Sequence, residues 1–309
     1  MSSRPIIRIG IPVLWVAASI AMVASVGVPT SHDLVFFWFA LGIMSFSVAD
    51  LRRSTSRLVI EWSPFIGVLF VYDRLRGYAD GMFVHAREVP QIKVEEALFG
   101  KPIPTVWLQS HLWHGASDLH WWDYATWFIY LTHFFLTLIV AAILWRWAHD
   151  RFVRFATMVC VLSLAGFATY VLYPAVPPWL AAQHGSIGEA HRTVSVTWQH
   201  VPIAHFGSLF EKGQSYANNV AAMPSLHAAF SLLIVLYVWR LVPRWTRPLL
   251  ALYPPAMAFS LVYSGEHYFV DCVAGWAYAF FAYGIVTAVA ERRAQRAVRL
   301  RELEPAFAD

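Results

Sequence analysis

The chain has 309 residues, of which 58% are apolar, 16% aromatic and only 14% charged. An ordinary soluble domain has about a quarter of its residues charged, so this composition excludes a disordered protein and a nucleic-acid-binding one. The net charge of +4 comes from arginine clusters set between apolar segments, which makes it a mark of membrane topology rather than of a polyanionic partner. The two cysteines, Cys160 and Cys272, lie in apolar runs and imply neither a disulfide framework nor a thiolate metal site.

In chain order, stretches free of Asp, Glu, Lys and Arg run over 9–32, 34–49, 124–145, 155–188, 213–239, 249–265 and 272–290. A bilayer crossing takes about 20 mostly apolar residues, so these predict seven membrane helices, the second of them short. An eighth is predicted over 58–72, where Trp62 and the apolar run 65–72 outweigh Glu61 and Pro64. The first run is too long for a cleaved signal peptide and is read as a retained helix. With eight crossings and the N-terminus inside, sixteen Lys and Arg fall on the inner face and seven on the outer, which predicts that both termini are cytoplasmic.

The expectation is therefore an all-α polytopic membrane protein. Two helices occupy 1–57, and a six-helix core fills 58–290 with long extracytoplasmic loops at 73–123 and 175–222. A solvated cytoplasmic tail follows at 291–309. Both loops are rich in tryptophan and histidine, and Trp107, Trp113, Trp121 and Trp122 are expected to anchor at the headgroup level. Eleven of the thirteen histidines fall on or at the edge of the outer face, His133 and His149 being the exceptions. His111 and His114 have helical i, i+3 spacing, with His120 and Asp118 nearby, but no metalloenzyme spacing accompanies them. They are read as interfacial polar residues rather than as a metal site.

Two places combine polar chemistry with the start of an apolar run. The first reads Met223-Pro224-Ser225-Leu226-His227. Proline suits the first helical turn, where its missing N–H would have been unpaired. The free amides of that turn, with the Ser225 hydroxyl, suit a phosphate oxygen. The second reads Gly265-Glu266-His267-Tyr268-Phe269-Val270-Asp271. His267 and Asp271 share a helical face, and helical side chains lean toward the N-terminus, so the carboxylate can reach the imidazole. An acidic residue inside an apolar run is costly without a partner and marks a candidate functional site. Together these residues suit phosphoryl transfer through a covalent histidine intermediate: His267 as nucleophile oriented by Asp271, and His227 as general acid and base.

These two segments resemble the second and third motifs of the type 2 phosphatidic acid phosphatase superfamily, and in particular its inositol phosphorylceramide synthase branch. The resemblance covers roughly 58–290. It implies the same three roles for His267, Asp271 and His227 and a metal-independent reaction; no cofactor is expected. The reading is a membrane-lipid head-group phosphotransferase with a small polyol such as inositol, a sugar or another lipid as acceptor, the alternative being a lipid phosphate phosphatase with water as acceptor. Two departures stand out. Leu261 occupies the position six residues before His267 where the superfamily's phosphatases usually carry arginine. The segment Pro174-Ala175-Val176-Pro177-Pro178-Trp179 also lacks the expected basic residue. Arg74 and Arg76 are the leading substitutes for holding phosphate, ahead of Lys212 and Arg192, against a plain interfacial role for both arginines. Readings from other classes are a transporter with a proton relay of His133, Asp271 and His267, and a non-catalytic lipid-binding scaffold. The transporter predicts inverted repeats and broken midplane helices, which the sequence does not display.

Overall fold

The computed structural model describes residues 4–25, 32–46, 60–69, 86–201 and 220–303. It is all-α, as the composition and periodicity predict. The helices are α1 Arg4–Ser25, α2 His32–Phe46, α3 Ile60–Leu69, α4 Val89–Phe99, α5 Pro104–Leu112, α6 Trp121–Trp147, α7 His149–Leu172, α8 Pro178–Gln183, α9 Thr193–His200, α10 Leu226–Val238, α11 Arg247–Tyr263 and α12 Phe269–Leu303. Strand pairing among the described residues is confined to two isolated bridges, Arg87 with Ala175 and Ala175 with Ala221. Three helices are long and apolar enough to cross a membrane, at Trp121–Trp147, His149–Leu172 and Phe269–Leu300. Shorter apolar runs lie in α1, α2, α3 and α10.

Local chemistry sets the helix ends. His120 opens α6 with its backbone N–H donating to Asp123 Oδ2 at 2.8 Å, the reciprocal arrangement of a capping box. Helix α7 stops at Leu172, well short of the charge-free stretch that runs on to residue 188. Pro174, Pro177 and Pro178 disfavour helical backbone at the residues before them. Helix α10 starts late for the same kind of reason: Pro224 precedes it and Ser225 caps it, the Ser225 hydroxyl accepting from the Ala228 N–H at 3.3 Å. Helix α12 continues unbroken from the apolar run into the arginine-rich segment, which is also expected to be helical.

Helix α10 is the central element, packed against α6, α7, α11 and α12. Its Leu226, Leu233 and Ile234 join Phe155, Met158 and Leu162 of α7, Ala279 and Ala282 of α12, and Trp62 and Phe65 of α3 in the main core. Outward faces remain apolar, with Phe128, Ile139, Leu164, Phe280 and Phe281 exposed. A helix that is apolar all round suits surroundings of lipid. Glu61, the acidic residue of the weakest expected crossing, accepts from the Trp145 indole N–H and sits 3.5 Å from His149, at the turn between α6 and α7. That end of the bundle also carries Arg146, Arg151 and Arg154, and the Tyr237 hydroxyl near the end of α10 donates to the Arg151 carbonyl there.

The close contact of α10 with α12 depends on Gly275. A Cβ at that position would lie 2.2 Å from the Ser225 carbonyl oxygen and 3.3 Å from the Ala229 nitrogen, both backbone atoms that cannot swing away. Gly275→Ala is therefore expected to push the two helices apart at a cost of about 1–3 kcal/mol. A lowered unfolding midpoint in detergent would register it, and a midpoint equal to wild type would refute the packing.

Candidate active site

The two sequence motifs come together at one end of the bundle, where α10 and α12 begin and α7 and α11 finish. Backbone pairing of three segments builds the floor. Ala175 N–H donates to the Val220 carbonyl, Ala222 N–H to the Ala175 carbonyl, and Val176 N–H to the Arg87 carbonyl. The Tyr170 hydroxyl at the end of α7 donates to the Pro224 carbonyl at 2.7 Å. These bonds hold 220–225 in place, and one product is a fixed Ala222 carbonyl.

That carbonyl is 2.8 Å from Nδ1 of His267. A carbonyl oxygen can only accept, so Nδ1 carries the hydrogen and Nε2 is left with the lone pair. Asp271 Oδ2 stands 3.7 Å from the same Nδ1 and accepts the Tyr268 backbone N–H at 2.9 Å. The carboxylate was expected to hold the ring itself; the nearer partner is Ala222, with the charge of Asp271 behind it. Both side chains are enclosed, His267 at 6% exposure and Asp271 at 0%. The two motifs are also tied through the main chain, Ser225 N–H donating to the Asp271 carbonyl at 2.9 Å. Ser225 is fully buried and its hydroxyl serves the cap of α10.

His227 faces His267 with ring centroids 5.6 Å apart. On its other sides lie Tyr130, stacked at 4.9 Å, and His133, at 3.9 Å. From sequence alone His133 has a part only in a transport relay, and Tyr130 has none. A signal was present: Thr126, Tyr130, His133 and Thr137 form a polar stripe at helical spacing along the otherwise apolar α6.

The turn from α11 to α12 presents the nucleophile candidate. Gly265 adopts φ +73°, where a Cβ would also lie 2.8 Å from the His191 carbonyl. Gln109 braces this turn from α5, donating to the Tyr263 and His191 carbonyls at 2.7 and 2.8 Å and accepting the His191 N–H. Glu266, immediately before His267, is held by Arg192 through two bonds of 2.6 and 3.0 Å, and the guanidinium lies 5.3 Å from the centroid of the Trp179 ring. Burial works against the Arg192 charge, but the Glu266 carboxylate more than offsets it and the guanidinium stays protonated. Sequence ranked Arg192 behind Arg74 and Arg76; the fold delivers it to the site. Arg74, Arg76 and Lys212 lie outside the described residues. On the opposite side of the turn, the Val270 N–H donates to Glu95 Oε1 at 2.9 Å. Burial pushes the Glu95 carboxyl up to about 7, against the pull of that N–H, with the charge of Asp271 adding to the rise.

The histidines of the first loop engage aromatic neighbours. His111 stacks on Trp107 at 4.3 Å and His120 on Trp122 at 4.3 Å, with His114 4.5 Å from His120. No cluster of His, Cys, Asp or Glu among the described residues has the arrangement of a metal site.

His227, His267 and Asp271 thus gather at the mouths of two apolar helices. Residues 103–285 match the PAP2 superfamily, and the chain belongs to that superfamily. With its apolar helices, it is a membrane protein. Among curated relatives, it is similar to the phosphoinositol dihydroceramide synthase of Bacteroides thetaiotaomicron, 30% identical over 155 residues that cover 44% of this chain and 47% of that protein. It is also similar to the inositol phosphorylceramide synthase of Candida albicans, 24% identical over 168 residues, covering 50% of this chain and 33% of that one. The matched parts thus span less than half the length of these relatives. No solved structure matches the chain.

Proposed function

We propose that the protein transfers the phosphoryl-bearing head group of a membrane lipid to an alcohol through a covalent intermediate on His267. The observation that carries this reading is the Nδ1 contact with Ala222, which leaves Nε2 as a nucleophile in a water-poor recess facing His227. In the first step Nε2 attacks phosphorus, the bond to the leaving oxygen breaks, and the His227 imidazolium gives that oxygen its proton. In the second, the acceptor hydroxyl loses its proton to His227 and bonds to phosphorus while the P–N bond breaks and its electron pair returns to Nε2. Asp271 stabilises the charge that builds on the His267 ring. The amides opening α10, with Ser225, Arg192 and the arginines at 74 and 76, are the groups assigned to the phosphate oxygens.

Transfer is preferred over hydrolysis because the relatives with matching segments are named as synthases. The preferred sidedness is extracytoplasmic, with both termini cytoplasmic. The arginine-bearing turns 146–154 and 240–247 lie at the end of the bundle away from the site, which supports this orientation. Helix α10 has 13 residues, or about 20 Å at 1.5 Å per residue, against about 30 Å of hydrocarbon. A helix that short, with its far end at one interface, starts below the other, and the reacting groups are then reached from within the bilayer.

The test uses purified full-length protein with a lipid labelled at phosphorus, with and without candidate alcohols. A new labelled lipid that depends on the alcohol supports transfer. Free phosphate in its place makes the protein a lipid phosphatase, and the absence of any turnover with phosphoester or phosphodiester lipids overturns the reading.

A further inference from the structure

Helix α4 turns two polar residues inward beside the buried Ile92. Val89, Val94, Leu98 and Phe99 are exposed, while Gln91 is 2% and Glu95 0% exposed. Glu88, Gln91 and Glu95 recur at i, i+3 and i+7 and so share a face. That face meets the turn carrying the nucleophile through the Val270 N–H on Glu95, and at the end of the helix the half-exposed Phe99 touches Phe269 edge-on at 5.5 Å. Tyr268, adjoining His267, is fully buried. It packs in one buried cluster with Ile92 of α4, and burial, with the charges of Asp271, Glu88 and Glu95, keeps its hydroxyl protonated.

Buried polar atoms are nearly always hydrogen-bonded. Here both polar atoms of Gln91, Oε2 of Glu95, and the hydroxyls of Tyr268 and Thr105 have no partner among the described residues. Between them they offer an amide NH2 and two hydroxyls as donors, and an amide oxygen and a carboxyl as acceptors. A free anion would meet the carboxyls of Glu88 and Glu95, and a cation would leave the Gln91 and Tyr268 donors unmatched. A group with several hydroxyls, each able to give and to accept, fits the whole set. Helix α4 precedes residue 103, where the match to the superfamily begins.

We propose that the inward face of α4, together with Tyr268, binds the polyhydroxyl head group of the substrate and sets it beside His267. This rests on the head-group transfer reading above. The polyol arrives either on the phosphorus of the donor lipid or as the free acceptor; its hydroxyl chemistry is the same in both.

Calorimetric titration of the full-length protein in nanodiscs with glycerophosphoinositol, free inositol and inorganic phosphate tests it, in wild type, Gln91→Leu and Tyr268→Phe. Each variant is expected to weaken glycerophosphoinositol by about fivefold or more relative to phosphate. An equal loss for free inositol assigns the site to the acceptor, and inositol that binds only when joined to phosphate assigns it to the donor. The unfolding midpoint of Gln91→Leu is expected to hold or rise, because the substitution removes two buried unpaired atoms at nearly constant volume. Variants that bind glycerophosphoinositol as wild type does, or that lose phosphate in equal measure, overturn the proposal. Selective binding loss in a protein that never forms a phosphoenzyme would overturn the transfer chemistry instead and leave the head-group site standing.

Discussion

A His267→Asn enzyme is expected to form no phosphoenzyme and to lose about 10⁴-fold or more of its turnover. Loss of a nucleophile removes the covalent route entirely, and what survives is catalysis by positioning and oxyanion stabilisation. Asparagine is the informative replacement because its side-chain amide can still donate to the Ala222 carbonyl that now takes the Nδ1 hydrogen at 2.8 Å. The floor of the site is thereby retained while the attacking nitrogen is removed. The check is a rapid-quench experiment with a phosphorus-labelled lipid: wild type traps an acid-labile adduct on His267 and the variant traps none. A labelled adduct on another residue, or undiminished turnover, would sink the assignment.

His227→Gln should behave differently, slowing both formation and breakdown of the adduct by about 10²- to 10⁴-fold. The distinguishing measurement varies the leaving group. A nitrophenyl phosphoester departs without needing a proton, so adduct formation should recover toward wild type while breakdown stays slow, and the intermediate accumulates. An alkyl leaving group should show no such recovery. The pH–rate profile should lose one limb in the variant, and a profile that keeps both limbs would assign the proton transfers to another group. His133, at 3.9 Å from the His227 ring, is the nearest alternative among the described side chains in ring contact with it.

The helical class of the fold was legible because charge-free runs of bilayer length leave few other structures for a backbone without water. The charge-free runs are longer than the helices inside them: α7 ends before Pro174 and α10 begins after Pro224, in keeping with loop bounds at 175 and 222. Charge content reports where lipid can be, whereas backbone hydrogen-bonding capacity decides where a helix stops. The site motifs were visible for a related reason: Ser225, His227, His267 and Asp271 are polar residues at the margins of apolar runs, where an unpartnered polar group is expensive.

Other parts of the site left little trace. Glu95 and Gln91 look like ordinary residues of a loop helix, and only the inward turn of α4 makes them notable. Arg192 reads as one of several outer cations until the Gly265 turn delivers Glu266 to it. Gly275 is one glycine among sixteen in the sequence, distinguished by a neighbouring helix arriving within 2.2 Å of its missing side chain.

The sequence by itself determined the helical class and the membrane character, and it nominated His267, His227 and Asp271 as the reacting groups, because each follows from composition or from spacing within one segment. Tertiary structure alone decided which partner holds the His267 ring, that His133 and Tyr130 flank His227, and that α4 turns its polar face inward. Those are contacts between residues tens to hundreds of positions apart, and they depend on how helices pack rather than on what any one helix contains.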